Sequence, residues 1–204
     1  MLNKKAANFW NWFSANQNKF SFINEVEEAE RDNLLDEFIT VLHQFNENIY
    51  FEIGGHPDED KKELIITAEG VVDYFPEVEK LVEAAPEFEQ WEVIAFKPPM
   101  GEGFKTNYAG IEFDPEKIIF IPLENEEQPD AIGINVCYPD FDESDREVLM
   151  EGTYLMLDTI IGEKSTTLDI NYLEISQTPE NIADLNFLHC SEIADYIEEK
   201  KGRF

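Results

Sequence analysis

The sequence predicts an α+β protein: a mixed, mostly antiparallel sheet of about six or seven strands, helices packed on one side of it, and an N-terminal helical pair. Three observations carry this expectation. Apolar residues of the first third recur with helical period, the period turns extended after Asn48, and helical and extended stretches alternate beyond Asp140. The order helix, helix, β, β, α, β, β, β, β, α, β, α mixes hairpins with single crossovers, as a mixed sheet requires. The chain reads as one domain, 1–204, with a helical segment at 1–46 and a sheet with packed helices at 47–204.

Phe9, Trp10 and Phe13 share one helical face, and Asn16 to Asn18 is the expected break before the next element. Asn24 is the expected N-cap of a second helix. Its Glu25, Glu27 and Glu28 suit the positive end of the dipole, and Leu34, Leu35, Phe38, Val41, Leu42 and Phe45 form a continuous apolar stripe. Ile49, Phe51 and Ile53 then alternate with polar neighbours, and Leu64 to Thr67 follow an acidic turn, which predicts an antiparallel pair. Phe75-Pro76 opens a short helix with Val78, Leu81 and Val82 on its apolar face, stopped at Pro86. Trp91 to Phe96 is a further strand, ended by Pro98-Pro99.

Tyr108 to Phe113 and Lys117 to Ile121 flank Asp114-Pro115-Glu116 and read as a hairpin, with Pro115 fixing the φ of a type I turn and Pro122 ending the second strand. Ala131 to Cys137 supplies one more strand. Ser144 and Glu147 have capping-box spacing at the head of a helix, Asp145 to Ile161. Its nearly all-apolar surface predicts burial, with Gly152 allowing close approach and Gly162 ending it. Leu168, Ile170 and Tyr172 followed by Leu173 and Ile175 form a strand whose alternation slips by one residue, as a bulge causes. Ser191 is the expected cap of a last helix carrying Ile193, Tyr196 and Ile197, before the basic end at Lys200, Lys201 and Arg203.

Charge is the compositional anomaly. The 204 residues hold 45 Asp+Glu against 15 Lys+Arg, a formal net charge of −30. A surface of that sign repels phosphate backbones and anionic lipid, so neither nucleic acid nor a membrane is an expected partner. A content of 43% hydrophobic and 13% aromatic residues furnishes a packed core and excludes a disordered acidic tail. Cys137 and Cys190 are too few for a disulfide framework and read as reduced thiols. No apolar run approaches the ~18 residues of a membrane span, and Asn8 and Asn11 interrupt the aromatic start, so a cytoplasmic location is expected.

Catalytic constellations are sparse. Asp140, Asp142, Ser144 and Glu151 stand at the oxygen-ligand spacing of an EF-hand loop, but Asp145 replaces the glycine that makes its sharp turn and a strand precedes it. An acidic helix start explains the same residues. His56-Pro57-Asp58-Glu59-Asp60 reads as a solvated loop with weak cation affinity at most, and His43, His56 and His189 are too scattered for a preorganised nitrogen site. Cys137 lies in the apolar alternation Ile132, Ile134, Val136, where a buried inert thiol is expected. Gly101-Glu102-Gly103 carries a carboxylate where a phosphate cradle needs none. No metal or other cofactor is expected.

Two segments stand out as candidates for binding. Between Lys97 and Lys105, prolines stiffen and glycines open a loop that carries both lysines with Met100 and Phe104, either as a binding lip or as an ordinary connection balanced by nearby acids. In the aromatic start, Trp10 and Trp12 fall on different sides of a helix, which leaves Trp12 as the candidate for an exposed anchor or for core packing.

Phe9-Trp10-x-Trp12-Phe13, Phe51-Glu52-Ile53, Glu63 to Gly70, Phe75-Pro76-x-Val78, Ala84-Ala85-Pro86 and Trp91-x-Val93-x-Ala95-Phe96-Lys97-Pro98 occur in an order that resembles an uncharacterised family of bacterial cytosolic proteins. The resemblance spans roughly the first half of the chain. It implies a bacterial origin and a stand-alone domain, and carries no catalytic residue over.

Two functions fit these readings. One is a non-enzymatic cytoplasmic binding or regulatory protein whose acidic surface engages a basic protein partner. The other is a small hydrolase or ligand-binding enzyme with a site near the Lys97 to Lys105 loop.

Overall fold

Two separate apolar cores organise the chain. The computed structural model describes residues 2–55 and 61–202, with side chains from Lys4 onward. It divides into two compact units, Met1–Phe96 and Lys97–Phe204. The class is α+β as expected, but the strands form three small sheets, and no single sheet holds six or seven of them.

In the N-terminal unit, α1 (Leu2–Phe20) and α2 (Glu28–Phe45) pack with β1 (Tyr50–Gly54), β2 (Lys62–Thr67), α3 (Phe75–Glu83) and β3 (Trp91–Ala95). The sheet order is β1-β2-β3: β1 pairs antiparallel with β2 as predicted, and β3 runs parallel to β2 through the α3 crossover. The break expected at Asn16 to Asn18 does not occur. Helix α1 runs through it because burial of Phe13 and Phe20 outweighs the few tenths of a kcal/mol that asparagine costs in a helix. Asn24 is not the cap of α2 either. Two tight turns, Ile23 N–H to Phe20 O and Glu25 N–H to Phe22 O, carry Ile23 into the core, and Glu27 in extended backbone starts the helix. The core is dominated by rings: Phe9, Phe13 and Phe20 meet Phe38, and Phe13 meets Trp91 edge-on at 5.3 Å. Trp10 is buried and donates Nε1–H to Leu81 O at 2.8 Å, which satisfies a carbonyl in the last turn of α3.

In the C-terminal unit, the predicted Asp114 hairpin is replaced by another. β4 (Thr106–Tyr108) pairs with β5 (Ile111–Phe113) across Ala109-Gly110, whose φ values of 50° and 83° are both left-handed, as a type I′ turn requires. Asp114-Pro115-Glu116 does turn the chain, with Lys117 N–H on Asp114 O at 3.0 Å, but the strands on its two sides belong to different sheets. The larger sheet has the order β8-β7-β6-β9, from β6 (Ile119–Leu123), β7 (Ile132–Tyr138), β8 (Ile170–Gln177) and β9 (Leu188–His189). Pro122 does not end β6. Strand β9 reaches only Ile119 and Phe120, so the edge beside Pro122 is open and its missing N–H breaks no ladder bond there.

The long apolar helix α4 (Arg146–Ile161), expected to be buried, is buried on one side only, with Glu147, Glu151 and Tyr154 exposed, and Gly162, at φ 82°, ends it as predicted. A Cβ at Gly152 would lie 1.9 Å from Phe113 Cζ, so the helix can meet that ring only as glycine. Its start is organised by Asp142, whose side chain accepts the Ser144 N–H at 2.8 Å, so Ser144 is not the cap. Leu168 belongs to the short helix α5 (Glu163–Asp169) and not to a strand. The predicted bulge is present slightly earlier than the expected slip at Tyr172–Leu173: Ile132 pairs with Ile170 but Gly133 with Tyr172, and the extra Asn171 accepts the Ile132 N–H on its Oδ1 at 2.8 Å. His189 replaces Ser191 as the residue heading the turn before α6 (Ile193–Lys201), its N–H bound by Glu192 Oε2 at 2.8 Å.

Candidate functional site

The Lys97 to Lys105 loop lies in the C-terminal unit and is clamped at both ends. Lys97 N–H donates to Glu163 Oε2 at 3.2 Å while Glu163 N–H donates to Lys97 O at 3.0 Å, a reciprocal pair that holds the buried Glu163 against the loop. Met100 N–H reaches Thr159 O at 2.8 Å, and Lys97 Nζ lies 3.8 Å from Asp158 Oδ2. At the other end Lys105 Nζ sits 2.8 Å from Asp114 Oδ2 and 3.5 Å from Glu112 Oε1. Asp114 is nearly buried and also takes Lys117 Nζ at 2.9 Å and Glu116 N–H at 3.1 Å. The hydrogen bond from Lys105, then that from Lys117, holds its carboxyl down to about 2. Both candidate lysines are thus engaged by carboxylates of their own unit. Met100 and Phe104 are exposed.

Trp12 belongs to the N-terminal unit, where it is half-buried with its ring edge-on to Phe38 at 5.6 Å and tilted on Phe20 at 5.8 Å. It closes one side of the aromatic core. The other reactive side chains have structural occupations. Cys137 and Cys190 are buried, and burial pushes both thiols up, away from the thiolate form that reacts. Thr153 donates its one hydroxyl proton to Leu149 O at 2.6 Å, so Tyr138 donates to Thr153 across 2.6 Å; burial raises the Tyr138 phenol as well. Of the oxygens with EF-hand spacing, Asp142 accepts the Ser144 hydroxyl and Glu151 accepts the Tyr108 hydroxyl. His43 packs edge-on to Tyr50 at 5.7 Å. The His56 to Asp60 segment lies outside the described residues.

A concavity does exist in the N-terminal unit, on residues that the sequence does not single out for binding. A groove of about 540 Å³ runs between the 23–24 turn, the first half of α2 and β1. Ile23, Leu35, Ile39, Phe51 and Ile53 make its apolar surface, and Asn24, Arg31, Asp36 and Glu52 its polar one. Phe51 is stacked on Phe38 at 3.9 Å, so one wall is continuous with the aromatic core and rigidly supported. Three consecutive residues of β1, Phe51 to Ile53, line the groove. Side chains alternate between faces of a strand, so a cavity touching all three lies along the strand's edge, and β1 is the outermost strand of its sheet. Beside it, Phe22 stands 59% exposed, and Glu25, Glu27, Glu28, Glu30 and Asp32 are exposed on the same approach to α2.

Sequence reasoning passed over this site because its walls come from three separate stretches. The signal was present in part: the apolar stripe of α2 holds Leu35, and the alternation of β1 holds Phe51 and Ile53, yet one wide helix stripe and one short strand do not say how much of each is left uncovered. Comparison with protein-family models, curated proteins and solved structures finds no match for the chain. Among the described residues no helix is long and apolar enough to cross a membrane.

Proposed function

We propose that this protein is a binding module of the cytoplasm whose acidic surface captures a basic protein partner. The observation that carries the reading is the groove beside β1, which joins an apolar surface of Ile23, Leu35, Ile39, Phe51 and Ile53 to the exposed carboxylates Asp36 and Glu52. Apolar contact area gives such a site its affinity, and a net charge of −30 selects and steers the partner by sign. Among the described residues Arg31 is the one cation lining the groove, and acids outnumber cations threefold along the chain, so the field favours a lysine- or arginine-bearing segment.

The test is a titration of the whole chain with a peptide of mixed lysine and branched apolar residues, and with its counterpart in which glutamate replaces lysine. The cationic peptide is expected to bind and the anionic one not to. Its association rate should fall as salt shortens the screening length toward ~8 Å. Equal binding of the two peptides sinks the reading.

A further inference from the structure

We infer that the partner enters this groove as an added β-strand, hydrogen-bonded along the outer edge of β1, with cationic and apolar residues alternating along it. This rests on the acidic-capture reading above and adds the conformation and pattern of the bound segment. Three features of the groove point there. The cavity follows three consecutive residues of an outermost strand, which is the surface that an extended chain completes by continuing the ladder at about 4.8 Å spacing. The alternation of β1 places Phe51 and Ile53 on one face, with Leu35 and Ile39 of α2 lining the same cavity, so the incoming strand has an apolar slot for every second side chain. The exposed carboxylate of Glu52, on the opposite face, then meets the intervening side chains, for which lysine or arginine is the complementary choice, while Asp36 of α2 adds negative charge at the mouth of the apolar slot.

The same charges decide between occupants. A second copy of the chain pairing β1 to β1 would bring Glu52 and Asp36 of both copies, and two surfaces of −30, against each other. An exposed edge guarded by like charges resists self-association and admits a strand of opposite sign. A helical partner would fill the apolar slot but leave the strand edge unused, so the backbone chemistry distinguishes it from a strand.

The experiment uses the full chain and three forms of one alternating lysine–valine peptide: unmodified, N-methylated at the lysines, and N-methylated at the valines. Successive N–H groups of a strand point to opposite edges, so methylation of one set removes every donor aimed at β1 and methylation of the other removes none. Strand addition requires that one methylated form bind at least about tenfold more weakly while the other keeps the affinity of the parent. Similar affinities for the two methylated forms, with the parent bound, overturn strand addition and leave acidic capture standing. Failure of the parent peptide to outbind its glutamate counterpart overturns acidic capture itself. Asp36→Lys combined with Glu52→Lys, both at exposed positions, should reverse the preference to the glutamate peptide. Unchanged preference in that variant, or self-association of the chain through this edge, overturns the proposed occupant.

Discussion

The two units are built on different physics. In the N-terminal unit the core is a stack of rings around Phe38, with Trp12, Phe20 and Phe51 arrayed on it, and the ion pairs Lys19–Glu37 and Lys80–Glu77 are superficial. In the C-terminal unit the core is largely aliphatic, with Ile134, Val136, Met156, Leu157 and Ile160, and it encloses Asp114, Glu163, Thr153 and Thr166. Shape complementarity among rigid rings dominates one, while the other also depends on the buried carboxyl groups of Asp114 and Glu163, which must keep their partners. The first should answer to loss of volume, and the second to crowding and to pH.

The distribution of chromophores makes the contrast measurable, since Trp10, Trp12 and Trp91 all lie in the N-terminal unit and the C-terminal unit contains no tryptophan. The largest effect is expected for Phe38→Ala. Emptying a ring site at the centre of the aromatic stack should cost about 3–5 kcal/mol and lower the midpoint reported by tryptophan fluorescence. A loss below about 1 kcal/mol would mean that the rings close the gap and are not a rigid stack.

A smaller effect is expected for Gly152→Ala. Alanine favours the helix by about 1 kcal/mol, but its Cβ would occupy the space of the buried Phe113 ring, and such overpacking costs typically about 1–3 kcal/mol. The net outcome is destabilisation, seen in the tyrosine near-ultraviolet signal, and Phe113→Leu in the same chain should recover part of it. A more stable Gly152→Ala protein would show that the aliphatic core yields where the aromatic one does not.

The smallest effect belongs to acid. Asp114 carries a folded value of about 2 against an ordinary 3.8, a depressed carboxyl, so its contribution is present above about pH 4 and is lost as pH falls from there through 2. Asp114→Asn should flatten the acid limb of the C-terminal unit's stability while leaving the neutral tryptophan-reported midpoint of the N-terminal unit unchanged. An acid limb identical to that of the parent would remove Asp114 from the account.

Local periodicity and the sequence-adjacent β1–β2 pairing were legible in the sequence, and the allocation of the remaining strands to sheets was not. The apolar stripe of α2, the β1–β2 hairpin, the glycine contact at 152 and the slip in β8 each depend on a pattern within one segment, and each is present. The allocation of strands to three sheets depends on partners distant in sequence. Asp114-Pro115 looks like the hairpin because it has turn chemistry and alternating flanks, whereas Ala109-Gly110, where alanine accepts a positive φ, has the weaker signal and makes the actual hairpin. The helix starts moved for a related reason. Asn24, Ser144 and Ser191 have capping chemistry, but tight turns and a neighbouring carboxylate or histidine took over each terminus. For the candidate site, the sequence drew attention to the Lys97 loop through its rare cations. Their neighbours Asp158, Glu112 and Asp114 account for those cations, and the open concavity formed where apolar residues carry no sign of binding chemistry.

The single supernumerary residue in β8 sets the parity of everything beyond it. Ile170 precedes Asn171, and Leu173 and Ile175 follow it, yet all three pack with the same aliphatic cluster, which an unbroken two-residue repeat forbids. Pairing Asn171 into the ladder as an ordinary residue would rotate the downstream half of the strand by one side chain, turning Tyr172 and Glu174 inward and Ile175 out to water, whereas deleting it would leave Ile170, Tyr172, Leu173, Glu174 and Ile175 in regular alternation. The side-chain oxygen that takes the Ile132 N–H therefore keeps the strand right side out.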